Sequence, residues 1–100
     1  MKLDKFTIKA QEAIQEAVNL AENSEHQAIE NAHILKSILT NAQDVSHYLL
    51  KKAGVNVDNF RSAVDKMVES YPKVSGAESY LSNNANKALR KAMQIAKDYG

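Results

Sequence analysis

The sequence predicts an all-α bundle of about five helices, and three observations carry that prediction. Apolar residues recur at three-and-four spacing in five successive segments, the spacing that lines one side of an α-helix. Fourteen of the 100 residues are Ala, the strongest helix former. Only three Gly and one Pro interrupt the chain, and they stand at segment ends or in the one aperiodic stretch.

In the first segment, Thr7 to about Asn23, the residues Ala10, Ala13, Ile14, Ala17, Val18 and Ala21 make the apolar face. Thr7 is the expected N-cap, its hydroxyl accepting an amide proton of the first turn; Ala10 stands where a Glu would complete a capping box. Asn31 is the expected cap of a second helix running to about Leu39, whose stripe Ile34, Leu35, Ile38 and Leu39 predicts deep burial. Asp44 is the expected cap of a third, with Val45, Tyr48 and Leu49 turned inward and Gly54 just past its end. Asp58 is the expected cap of a fourth, in which Phe60, Ala63, Val64, Met67, Val68 and Tyr71 repeat the period until Pro72 stops it. The stretch KVSGAESY, 73–80, has no period and reads as a connecting loop. Ser82 caps a fifth helix to about Asp98, with Ala85, Ala88, Leu89, Ala92, Met93 and Ala96 on its buried face and Gly100 as its stop.

A shift of 75 residues (82 − 7) lays the fifth segment over the first. It pairs Ser82 with Thr7 and aligns Ala85, Ala88, Ala92 and Ala96 with Ala10, Ala13, Ala17 and Ala21. Four coincident alanines beside matched caps indicate an internal repeat. The expected organisation within one small domain is a first repeat over 1–72, a linker over 73–80 and the first helix of a second repeat over 81–100. The chain reads as a domain cut partway, whose fifth helix needs a further surface, from the first repeat or from a second chain, to cover its apolar face.

Composition and motif content exclude most chemistry. Thirteen Lys plus Arg against twelve Asp plus Glu leave a net charge of +1, too little to drive electrostatic nucleic-acid binding. The absence of Cys removes thiol nucleophiles and thiolate metal sites, and with no bilayer-length apolar run or secretion signal it makes the cytoplasm the expected compartment. The isolated Gly residues form no phosphate loop, and His26, His33 and His47 lack metal-ligand spacing. His33, beside Ile34 and Leu35, reads as a hydrogen-bonded structural histidine. No nucleophile elbow or carboxylate pair stands out, so no catalytic residue is expected. Lys87, Arg90, Lys91 and Lys97 form a basic, solvated face on the fifth helix, while Ile95, like its counterpart Leu20, falls outside the main apolar stripe.

Taken together, KFTIKAQEAIQEA, IENAHILKSIL, LLKKAGVNV, YPKVSG and YLSNNANKALRKA resemble the amino-terminal domain of the Clp family of AAA+ unfoldases, most closely the ClpB disaggregases. The resemblance spans the chain, with the FT start, the HIL helix, the AGV turn and the PKVSG linker in the family's order. It implies a bundle of two four-helix repeats, tethered before ATPase modules and recruiting unfolded or aggregated polypeptide without turning anything over. No cofactor is then expected in this chain; ATP and Mg belong to the ATPase modules of the resembled full-length protein. The implied partners are client polypeptides and the rest of its own hexamer, with no membrane and no specific nucleic acid. An adaptor docking on a ClpC- or ClpA-like unfoldase that feeds a protease is the alternative, and nucleic-acid binding through the basic fifth helix a remote one.

The expected client-binding residues are Thr7, Leu81, Ile95 and Tyr99. Of these, the resemblance carries Thr7, at the family's first helix cap, and Ile95, at an apolar position of the client groove. Lys91 stands where a second groove leucine is usual, and Ala32 replaces the Glu that reads phosphoarginine in ClpC-like members, so phosphoarginine binding is not expected.

Overall fold

A computed structural model describes residues 7–76 and 78–99. Its order is α1 (Ile8–Asn23), β1 (Ala28–Ile29), α2 (Asn31–Asn41), α3 (Gln43–Lys52), α4 (Val57–Glu69), β2 (Tyr80–Leu81) and α5 (Asn83–Asp98). The all-α class and the five helices stand as the periodicity predicts. Gly100, expected to end α5, lies outside the described residues, as does the chain before Thr7.

Helix α2 occupies the centre and touches α1, α3, α4 and α5. The crossing of α1 on α2 is lined by Ala17 and Ala21, both completely buried, whose missing side-chain bulk lets the backbones approach. Ser37 fastens the same crossing, its hydroxyl donating to the Ala13 carbonyl at 2.6 Å. Ile14, Ile29, Leu39, Val64, Val68, Ala85 and Leu89 fill the remaining core.

Three expected caps are displaced. The first turn of α2 is held by His33, whose Nδ1 accepts from the Glu30 N–H at 2.9 Å, so Glu30 and not Asn31 is the N-cap residue. Helix α3 starts from Ala42, which is also the C-cap of α2; with no loop between the helices no side chain has room to cap, and Asp44 sits in the first turn, favourable to the helix dipole. Helix α4 is capped by Asn56, which accepts from the Asn59 N–H at 2.9 Å, while Asp58 lies inside the first turn. Asn56 is as good a cap as Asp58 and comes first. Thr7 and Ser82 cap as expected, accepting from the N–H of Ala10 at 3.1 Å and of Ala85 at 3.0 Å.

The buried faces are also redistributed. Val45, Tyr48 and Leu49, expected inward, are 62%, 60% and 58% exposed. The junction at Ala42 sets the rotation of α3: Ser46 donates to the Ala42 carbonyl at 2.8 Å and is buried, and Leu50 beside it is half-buried. The apolar stripe is left on the opposite side. In α2 only Leu39 of the predicted stripe is buried; Ile34 and Leu35 are half-buried and Ile38 is exposed, because the helix turns Ala32, His33 and Ser37 into the core. In α4, Val64 and Val68 face inward whereas Ala63 and Met67 are exposed. In α5, Ala85 and Leu89 are buried, Met93 is half-buried, and Ala88, Ala92 and Ala96 are open.

The segment read as a loop ends in structure. Tyr80 and Leu81 pair in parallel with Ala28 and Ile29, closed by Tyr80 N–H to the Gln27 carbonyl and Ser82 N–H to the Ile29 carbonyl, both 3.0 Å. Val74 N–H donates to the Glu25 carbonyl at 2.7 Å, so the stretch is stitched back onto the end of α1. Two-residue strands carry too little alternation to be read from sequence.

Candidate functional site

Two regions of the structure come into question as a site. The first is a cluster of the buried His26 and His33 with the half-buried Tyr71. Because His33 Nδ1 accepts the Glu30 N–H, its hydrogen sits on Nε2, which donates to His26 Nδ1 at 2.9 Å. His26 then carries its hydrogen on Nε2, a buried atom with no acceptor among the described residues. Tyr71 packs on both rings, edge-on to His26 with centroids 5.7 Å apart and tilted on His33 at 5.1 Å.

Burial holds the His33 imidazole down to about 4 from its ordinary 6.5, the neighbouring His26 adding to the effect and the Glu30 carboxylate opposing it. Burial first, and then Glu30, pushes the Tyr71 hydroxyl up. Both imidazole lone pairs are already accepting, which leaves neither ring free as a base or metal ligand. Among the described residues no group of three or more His, Asp or Glu could hold a metal ion. The cluster is a structural device joining the end of α1, the start of α2 and the end of α4, as the sequence setting of His33 indicates.

The second region is a groove of about 750 Å³ between the start of α1 and the second half of α5. Ala10, Ala92, Met93 and Ala96 give it an apolar lining, Arg90 and Lys97 bring cations to it, and Thr7 stands at the α1 end. The Thr7 oxygen accepts from Ala10, leaving its hydroxyl hydrogen free to turn elsewhere. The groove exists because α5 matches α1 in length and cap but not in cover. Ala17 and Ala21 are fully buried against α2, whereas their counterparts Ala92 and Ala96 are exposed.

The four expected client residues do not form one patch. Thr7 lies on the groove, and Ile95 and Tyr99, 46% and 89% exposed, sit on the same half of α5. Leu81 is half-buried in the ladder at the other end of that helix, roughly 21 Å from Ile95 by the helical rise. The basic face stands as read: Lys87, Arg90, Lys91 and Lys97 are exposed, and the one ion pair among the described residues is Lys36–Asp65 at 2.9 Å. Sequence reading missed the His26–His33–Tyr71 contact and the outward stripe of α3. For the first, only the retained polarity of two histidines among apolar neighbours hinted at a pair; for the second, spacing shows a stripe but not which way it faces.

Among the described residues no helix is long and apolar enough to cross a membrane. The profile of the Clp repeat (R) N-terminal domain matches residues 5–100. The chain is similar to a "Chaperone protein ClpB" of Bacteroides thetaiotaomicron, 47% identical over 100 residues, all of this chain and 12% of that protein. A ClpB of Porphyromonas gingivalis is 41% identical over 96 residues, 96% of this chain and 11% of the relative. One of Rickettsia felis is 34% identical over 103 aligned positions, all of this chain and 12% of the relative. The chain therefore spans about an eighth of the length of the curated relatives it matches.

Proposed function

This chain belongs to the Clp repeat (R) N-terminal domain family, and from that premise we propose that it is the non-enzymatic substrate-recruitment domain of a ClpB-like, ATP-dependent disaggregase. In this reading it binds unfolded or aggregated polypeptide and passes it to the rest of its own ring, in the cytoplasm. The observation that carries the reading is the open half of α5, where Ile95 and Tyr99 are exposed beside an apolar groove that reaches Thr7. An exposed apolar strip next to a shallow groove suits sequence-tolerant contact with unfolded chain, whose apolar side chains lack partners.

Weak binding fits the task. A client held by tens of micromolar or weaker contacts can leave for the pore, and several tethered copies raise the effective concentration without a tight single site. Adaptor docking remains the alternative use of the domain; it differs in resting on polar surface, so that charge reversal and not loss of Ile95 disrupts it.

The test is an amide-resolved NMR titration of the chain with a permanently unfolded polypeptide. Shifts are expected at Thr7, Ala92 to Tyr99 and the facing turn of α1, little changed by salt, and largely lost in the Ile95→Ser, Tyr99→Ser double variant. Absence of shifts at millimolar polypeptide, or shifts that the double variant leaves intact, overturns the assignment.

A further inference from the structure

The outward face of α3 carries no part of the groove and lies away from α5. Val45, Tyr48 and Leu49, at i, i+3 and i+4, form one continuous apolar stripe, and the Lys52 ammonium lies over the Tyr48 ring at 5.7 Å. Asp44 and Lys51 flank this stripe. They are seven residues apart and so share one side of the helix, the acid in the first turn and the base in the last. Neither takes part in an ion pair among the described residues.

That pattern is self-complementary. A two-fold axis crossing a pair of such helices reverses their direction and sets each flank against the same flank of its mate. With the axis between His47 and Tyr48, Asp44 of each copy faces Lys51 of the other, the two Tyr48 rings meet near the axis, and Val45 lies against Leu49 of the opposite copy. No other register about this stripe pairs both charges. A parallel arrangement about a two-fold axis sets this flank against the opposite flank of the mate, so Asp44 and Lys51 do not meet.

We propose that α3 is a homotypic docking surface, on which a second copy of this chain pairs antiparallel through Val45, Tyr48 and Leu49 with reciprocal Asp44–Lys51 contacts. Three side chains per copy cover well under the roughly 1,200 Å² of a stable specific interface, so the pairing is transient, with a dissociation constant of about high micromolar to millimolar. Such strength is negligible between free molecules at cellular dilution and becomes significant where copies are tethered side by side. The inference stands on the α3 surface alone and is independent of client binding at α5.

The experiment follows α3 amide shifts and sedimentation of the whole chain from about 50 µM to 2 mM, for the native sequence and for Asp44→Lys and Lys51→Asp. Native α3 shifts are expected to move with concentration. Each charge variant alone, which sets like charges together, should lose that dependence by about tenfold or more in affinity, and an equimolar mixture of the two should regain it because unlike charges again meet in the mixed pair. All substituted positions are exposed, and the amide spectrum verifies that the variants keep the fold. The proposal is overturned if native α3 shifts are independent of concentration, if concentration-dependent shifts map to α5 instead, or if the mixture behaves as its separate components do.

Discussion

At the scale of single residues, the structure places two strained or titratable groups where their effects can be measured. Glu25 closes α1 in a left-handed conformation, φ 59°, with His26 N–H donating to the Ala21 carbonyl and its own N–H to the Glu22 carbonyl. Gly54 makes the same closure after α3 at φ 77°, with Val55 N–H to Leu50 and Gly54 N–H to Lys51. The side chain at position 25 bears the steric cost that glycine avoids. Glu25→Gly should therefore raise stability by about 0.5–1 kcal/mol in urea unfolding. His33 gives a pH dependence. Its imidazole titrates at about 4 in the folded chain against 6.5 when unfolded. Between those values the unfolded chain takes up a proton that the folded chain refuses, so stability is complete above pH 6.5 and falls as the pH drops toward 4. The loss amounts to about 3 kcal/mol over that window. His33→Gln, which cannot titrate, should flatten the slope in the same unfolding series; an unchanged slope assigns the effect to other groups.

At the scale of elements, the legible and the illegible separate by what each depends on. Helix number, helix type, the caps at Thr7 and Ser82 and the stop at Gly54 depend on neighbours within one turn, and sequence shows them. The rotation of α3 depends on how α2 ends at Ala42, and the cap of α2 on a histidine held by another histidine seven residues away, so neither follows from local pattern. Likewise Thr7, Ile95 and Tyr99 are candidates that the sequence offers and the structure leaves exposed, whereas Ala92 and Ala96, expected on the buried face, are open and line the groove, and Leu81 is held at the far end of the helix by a ladder too short to leave a pattern. The repeat offers a direct check of packing. Ala21 and Ala96 are equivalent by the 75-residue shift, yet one is wholly buried and the other exposed. Ala21→Leu should cost about 1–3 kcal/mol by overpacking the α1–α2 crossing, while Ala96→Leu should stay within about 0.5 kcal/mol. Equal losses at both positions would show that α5 is covered in solution as α1 is.

At the scale of the whole molecule, the extents of 39 × 32 × 20 Å describe a slab about two helices thick, with α2 at its centre and α5 along one side. Protection against amide hydrogen exchange should follow that plan. It should be strongest in α1, α2 and at Ala85 to Leu89, and weaker from Ala92 onward, where α5 has lost its cover. Uniform protection along α5 would contradict the open groove. The ladder between Ala28–Ile29 and Tyr80–Leu81 also has a kinetic meaning. Its partners lie 52 residues apart, whereas α1 to α4 meet through short connections. Closing that span costs about 3.5 kcal/mol of chain entropy before any native contact repays it, and two paired residues repay little. The first four helices can thus collapse on their own local contacts, and α5 is delivered to a bundle already made: the last piece to arrive on folding and the first to leave when the chain is pulled apart.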